Sequence, residues 1–255
     1  MISYLRLDSI MRFGRVLRKL FPTLAECAAT LHFRTYVEDG LITRHNADFL
    51  RDPRFLSAFE RGRATGSWGN SNPRWRVYVA CGAAATAARL PGDFVECGVN
   101  RGGLARAIVE YLDFNSLNKR FFLLDTYGGF PSGAQRAEAN SNDYSECYDD
   151  VVRTFQHFPG VRIVRGTVPE TLPQIDSDRI CYLSLDMNSA EPEIAAMRHL
   201  WPRLAAGAIV LLDDYGGGPA YSMQKTAFDQ LALELGFHIL ALPTGQGMVL
   251  KSVAA

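Results

Sequence analysis

Four aspartates stand where apolar runs of the chain stop. Asp125 closes RFFLLD (120–125), Asp186 follows ICYLSL (180–185), and Asp213 and Asp214 follow AIVLL (208–212). A parallel sheet gathers strand ends of one sense along one edge, so these carboxylates are expected to meet there. Crowded carboxylates repel one another unless something positive sits among them. A hard divalent cation with oxygen ligands answers that need. Asp186, Asp213 and Asp214 are the expected ligands, and Mg²⁺ is the expected ion. It would bind a hydroxyl, lower its pKa and hold it as a nucleophile. The alternative is that Asp213 and Asp214 cap the next loop while Asp186 is solvated. Asp125 is expected to accept hydrogen bonds from ribose hydroxyls, with a plain strand-end cap as the alternative.

A second stretch is built for a ligand. Residues 93–103 read DFVECGVNRGG, which is a strand, a tight glycine turn and a helix start. Gly98 lets the backbone pass close to a bound molecule. Gly102 and Gly103 open a helix whose free N–H groups attract polar or anionic groups. The spacing is not G-x-G-x-x-G, and Glu96 stands where a dinucleotide fold would have glycine. A carboxylate there repels a pyrophosphate but suits an ammonium. S-adenosylmethionine (SAM) carries an α-ammonium and a sulfonium and no phosphate, so it is preferred over NAD. A glycine turn with no ligand is the plain alternative.

The elements that must position these groups follow from the rest of the chain. It has 255 residues, 47% hydrophobic and 21% charged, with 27 basic and 27 acidic side chains. Length and composition fit one large α/β domain with an appendage. Zero net charge gives no sign of a nucleic-acid partner. Five cysteines without C-x-x-C spacing read as reduced, mostly buried thiols in a cytoplasmic protein. No apolar run reaches a membrane span. The N-terminus lacks the layout of a secretory signal.

Residues 1–21 form a basic amphipathic pattern, with Leu5, Ile10, Phe13, Val16, Leu17 and Leu20 at helical spacing. Such a helix lies on an anionic membrane, packs on the domain or packs on a second subunit, so a homo-oligomer stays open. Its Arg-rich, acid-poor character is also that of a transit peptide. Residues 24–32 look helical, and Asp39-Gly40 is a turn. Residues 61–73, rich in Gly, Ser and Asn, read as a loop and candidate lid. Trp68 within it either covers a ligand or anchors the loop on the core. Helices are expected at 74–90, 103–113, 146–158, 191–204 and 222–235. Strands are expected at 93–99, 120–125, 161–165, 180–185 and 208–212. The segments 238–242 and 247–251 are expected to pair as an antiparallel hairpin.

With these residues in place, the chain resembles class I SAM-dependent methyltransferases, and more narrowly the macrocin O-methyltransferase family. GDFVECGVNRGG, LLDTYGGFP, RGTVPETLP, LSLDMNSAEPE and AIVLLDDYGG carry the resemblance, over about residues 90–251. It implies a Rossmann-like α/β fold, a mostly parallel seven-stranded sheet with an antiparallel C-terminal strand. Residues 1–89 would form an N-terminal helical lid region and 90–255 the SAM-binding domain. Glu96, Gly98, Arg101, Gly102 and Gly103 would line the methionine side of SAM. Asp125 and Thr126 would lie at the ribose, and Gly166 and Thr167 would approach the adenine. Asp186, Asp213 and Asp214 would hold Mg²⁺.

The chain departs from the family at one reacting position. The family pattern after the fourth strand is Asp-Gly-Asp-Leu-Tyr-Glu-Ser. Here Asp186-Met187-Asn188-Ser189-Ala190-Glu191-Pro192 replaces it. The second Asp, the family's proposed base, is Asn188, and an amide takes no proton at neutral pH. The metal, Glu191 or a loop histidine is left to do that work. The resemblance implies Mg²⁺-assisted O-methylation of a sugar or glycosylated small molecule. The alternative is a protein that binds SAM or its product S-adenosylhomocysteine (SAH) with weakened or lost transfer.

Overall fold

In the computed structural model, residues 22–131 and 144–252 are described. The basic segment 1–21 lies outside the described residues, as does 132–143 of the polar stretch after Asp125. The chain divides into two compact units, Met1–Asp48 and Phe49–Ala255.

The first unit holds helix α1 (Pro22–His32) and a hairpin of β1 (Tyr36–Glu38) and β2 (Leu41–Thr43). Asp39 and Gly40 take positive φ angles of 50° and 76°. Two successive left-handed residues close a two-residue hairpin with the right twist. The turn expected at Asp39-Gly40 is present. The flanking strands, three residues each, are too short to show an alternating pattern in the sequence.

The second unit begins with α2 (Pro53–Arg63) and α3 (Arg74–Ala87). Asp52 caps α2 by accepting the Arg54 N–H at 2.9 Å, and Pro53 occupies the first turn. The sequence reading missed this helix, although the Asp-Pro start is a readable signal. After α3 come β3 (Asp93–Cys97), α4 (Gly103–Tyr111), β4 (Phe121–Asp125), α5 (Tyr148–Phe155) and β5 (Val161–Arg165). They are followed by β6 (Ile180–Leu185), α6 (Ala190–Leu200), β7 (Leu204–Leu212), α7 (Ser222–Leu235), β8 (Leu240–Ala241) and β9 (Gly247–Leu250).

The seven strands lie in the order β5-β4-β3-β6-β7-β9-β8. The first five run parallel, while β9 is antiparallel to both β7 and β8. The expected Rossmann-like sheet and its C-terminal hairpin are therefore observed. β6 is buried along its whole length, as an unbroken apolar run should be when both faces are covered.

Two boundaries differ from expectation for physical reasons. α6 stops at Leu200, and a tight turn at Trp201–Arg203 replaces its last residues. Pro202 has no N–H to continue the helix. β7 starts at Leu204, opposite Ile180, although Ala205-Ala206-Gly207 has little strand propensity. The register shifts across that stretch, where Gly207 sits at φ 81°.

The strand ends line up as topology requires. Gly98 N–H donates to Leu124 O, Asp186 N–H to Cys97 O, and Asp213 N–H to Leu185 O. Gly98, Asp125, Asp186 and Asp213 thus form a row at the ends of β3, β4, β6 and β7. A Cβ at Gly98 would stand 1.9 Å from the carbonyl oxygen of Asp186. α4 also lies close to α2 and the loop that follows it. A Cβ on Gly62 would be 2.5 Å from Gly103 O, and one on Gly103 would be 2.7 Å from Ser67 Cβ. No helix among the described residues is long and apolar enough to cross a membrane.

Gly98 combines a φ of 89° with that backbone contact. Gly98→Ala is expected to cost about 2–5 kcal/mol, from a left-handed penalty plus overpacking. A urea unfolding curve measures it, and a loss below 1 kcal/mol, the floor for overpacking, would contradict the argument.

Candidate active site

Asp125 is the hinge of the site. Its Oδ2 accepts the N–H groups of Val99 at 2.6 Å and Asn100 at 2.8 Å. Its Oδ1 accepts the Tyr127 N–H at 2.7 Å. One carboxylate therefore clamps the turn after β3 to the turn after β4. Both turns need the help, because Asn100 and Tyr127 sit at φ 50° and 53°. A carboxylate accepts about four hydrogen bonds, and three are taken up by the chain's own backbone. Thr126 donates its hydroxyl to Gly129 O at 2.5 Å and lies 3.3 Å from Asp125 Oδ1.

Gly102 caps α4 at φ 85°, where a Cβ would strike the Phe155 ring at 2.7 Å. The Gly103 N–H is not free, since it donates to Ser67 Oγ at 2.8 Å. Trp68 stacks on Phe59, with ring centroids 5.1 Å apart and planes 16° from parallel. Trp68 thus anchors its loop on the core, the second of its two expected roles. Ser67 was not anticipated. Its signal is modest, a hydroxyl in a glycine-bearing loop, and its partner is 36 positions away.

Arg101 faces α5, with Nη1 at 3.2 Å from Asp150 and Nη2 at 3.1 Å from Ser145 Oγ. Gly166 and Thr167 follow β5, beside the end of β4. The Gly166 N–H donates to Asp125 O at 2.9 Å, and the Thr167 hydroxyl donates to Glu170 at 2.8 Å.

Glu96 is 1% exposed, and its Oε2 has no hydrogen-bond partner among the described residues. Burial, then the charges of Asp213 and Asp125, push its pKa well above the carboxylate range, against the Ala105 N–H that it accepts. Burial thus favours the protonated form of this carboxyl.

The three candidate metal ligands converge. Oxygens of Asp186, Asp213 and Asp214 lie within 4.8 Å of one another. Asp213 is held by the chain on both sides. Its Oδ2 meets Arg76 Nη1 at 2.5 Å, and its Oδ1 accepts from Gln246 Nε2 at 3.0 Å. Asp214 is 7% exposed, and its Oδ2 has no partner among the described residues. Burial and then Asp213 push the Asp214 pKa to about 7, and burial followed by Asp213 and Asp214 raises that of Asp186 well above normal. An all-oxygen set with an orphaned buried acceptor fits a hard divalent cation.

The loop after β6 is built around a residue the sequence reading passed over. Glu193 accepts the N–H groups of Met187, at 3.0 Å, and Ser189. Asn188, between them, sits at φ 53° and donates from Nδ2 to Asp186 Oδ1 at 3.3 Å. Glu191 is exposed in the first turn of α6. The readable signal for Glu193 was an acidic residue in the first turn of a helix.

Burial, then the Asp214 charge, push the Glu193 pKa from 4.5 to about 8. The folded chain then holds a proton that the unfolded chain releases, so stability falls as pH rises through that window. Glu193→Gln removes the titrating proton while keeping an acceptor oxygen for the Met187 N–H. In EDTA-treated protein, the stability of wild type relative to this variant is expected to decline steadily from pH 5 to 8, from just above the ordinary glutamate value to the raised one. Urea unfolding at three pH values reads it, and a flat difference contradicts the assignment.

A family model described as Macrocin-O-methyltransferase (TylF) matches residues 66–231. The mycinamicin III 3''-O-methyltransferase of Micromonospora griseorubida is 29% identical over 153 residues, covering 53% of this chain and 59% of that protein. A tetracenomycin-C 4'-O-methyltransferase of Streptomyces olivaceus, acting on an 8-demethyl-8-(2,3-dimethoxy-alpha-L-rhamnosyl) form, is 28% identical over 151 residues, covering 53% and 57%. The chain thus spans a little over half the length of the curated relatives it matches. Among solved structures, the O-methyltransferase NovP superposes with a TM-score of 0.57 at 21% identity, covering 70% of this chain and 80% of that one. The calicheamicin methyltransferase CalS11 gives 0.55 at 17% identity, covering 81% and 94%. These likenesses carry the fold. The family match takes in the glycine turn and every strand-end aspartate, so by extent and by content the chain belongs to the macrocin O-methyltransferase family.

Proposed function

We propose that the chain is a SAM-dependent O-methyltransferase that methylates a hydroxyl of a sugar or glycosylated small molecule with the help of Mg²⁺. One observation carries the reading: the glycine turn and the Asp186, Asp213 and Asp214 oxygens lie along the same edge of the sheet. The relatives' names support the acceptor class, since one of them specifies a rhamnosyl sugar. All five cysteines are free, which fits a reducing, cytoplasmic setting.

SAM, when bound, supplies a methyl group on a positively charged sulfur. A divalent ion, when bound, lowers the pKa of a coordinated hydroxyl. The chain's own part is to align these two partners. Gly98 keeps the turn clear of side chains, and Asp125 holds that turn against β4. Asp186, Asp213 and Asp214 would hold the ion at the neighbouring strand ends. Most of the rate gain would come from proximity and orientation. Asn188 donates to Asp186, so it orients that carboxylate and takes no proton. Glu191, exposed in the first turn of α6 just after that loop, would be the carboxylate to take the hydroxyl's proton.

Calorimetric titration of SAH into the protein tests the cofactor, with micromolar binding expected. Asp214→Asn is nearly isosteric at the orphaned oxygen. It is expected to lower transfer by roughly 100-fold while leaving SAH affinity within about threefold, as loss of a metal ligand should. Failure of SAH to bind at millimolar concentration, or full transfer in EDTA, would sink the reading.

Asn188 also favours a second reading, a protein that retains SAM or SAH while transfer is weakened. Asn188→Asp separates the two. A gain of about 100-fold or more on a glycoside library, the scale of a positioned general base, supports the second reading. Unchanged transfer from an already active wild type supports the first.

A further inference from the structure

We propose that Arg76 is the resident counter-charge of the strand-end carboxylates, and that it competes with a divalent cation for Asp213. The proposal rests on the metal reading above and specifies what that metal must displace.

Arg76 lies in the first turn of α3, far from the aspartates in sequence. Its Nη1 is 2.5 Å from Asp213 Oδ2, with side-chain exposures of 24% and 10%. The pair is thus mostly out of water, where a charge-assisted bond is strong and salt screens it little. The opposite oxygen of Asp213 is held by Gln246, which is 1% exposed and is itself fixed by the Thr244 hydroxyl at 2.9 Å. Both oxygens of Asp213 therefore have partners within the chain, whereas Asp214 Oδ2 has none among the described residues. The guanidinium also acts favourably on the ionised forms of Asp186 and Asp214. One fixed positive charge serves three carboxylates.

Two consequences follow. The cluster is partly neutralised before any ion arrives, so the metal-free fold holds together. A cation that takes Asp213 Oδ2 must displace a guanidinium or sit beside it. Arginine does not deprotonate to make way. Even with water-like screening, one unit charge a few ångström from a divalent ion changes its affinity by about tenfold. The structure therefore assigns Arg76 the setting of metal affinity, holding the ion loosely and exchangeably.

The test is a Mn²⁺ titration of the EDTA-stripped full chain, followed by electron paramagnetic resonance, for wild type, Arg76→Gln and Arg76→Lys. Arg76→Gln is expected to bind at least about tenfold more tightly than wild type, and Arg76→Lys, which keeps the charge, within about threefold of it. Equal or weaker binding by Arg76→Gln overturns the proposal. Binding by Arg76→Gln without binding by wild type supports it and fails the metal reading for the natural chain. Binding by neither overturns both. Thermal unfolding in EDTA is the second readout. Arg76→Gln is expected to melt lower than wild type and to recover when Mn²⁺ is added. If the variant fails to fold without metal, refolding on addition of Mn²⁺ supports the proposal, and no refolding overturns it.

Discussion

Repulsion among carboxylates gathered at one sheet edge is the constraint on which the rest of this structure depends. Parallel pairing brings the ends of β3, β4, β6 and β7 together, and each arrives with an acidic residue on it or just beyond it. Two unit charges roughly 4 Å apart at an effective dielectric of about 20 repel by about 4 kcal/mol. That is a large share of a domain's whole stability, roughly 5–15 kcal/mol. The chain meets the constraint differently at each position. Burial raises the pKa of Glu96 and so favours its neutral form. Asp125 is surrounded by backbone N–H groups. Asp213 meets a guanidinium. Asp214 is left with an oxygen that nothing in the described chain satisfies. The uneven treatment leaves one corner of the edge with an unsatisfied acceptor and ties the rest to the chain.

The sheet was legible because a strand buried on both faces writes itself as an unbroken apolar run. RFFLLD, ICYLSL and AIVLL each end at the observed strand end. The aspartates that follow them could then be placed by topology alone. The C-terminal hairpin was legible for a related reason, since its link is too short for a crossover. Where side chains carry little propensity, as at Ala205-Ala206-Gly207, the strand is set by its neighbour and the sequence is silent.

The site was legible in its members and not in their bonds. Asp125 was found as a strand-end acid, but the backbone groups it grips follow from two positive-φ residues, Asn100 and Tyr127, and a tyrosine does not announce such a turn. Arg76 reads as one more basic residue on an Ala-rich helix. Its meeting with Asp213 spans 137 positions and exists only once α3 is docked. By residue type and position, Glu193 is an ordinary acid in the first turn of a helix. It proved to be the buried bracket of the loop that carries Asn188. Pairing at a distance is decided by packing, and a single sequence records packing only as composition.

The close approach of α2 and α4 bears on how this chain can change. Gly62 and Gly103 each exclude a methyl group because the other helix's backbone or its loop fills the space. A substitution at either position meets the Ser67-Trp68 loop or the opposite backbone first. Two alanines together would collide more, so neither change prepares the ground for the other. The two positions form a dead end for stepwise mutation. The α2–α4 contact is therefore held fixed while substitutions accumulate elsewhere in the chain.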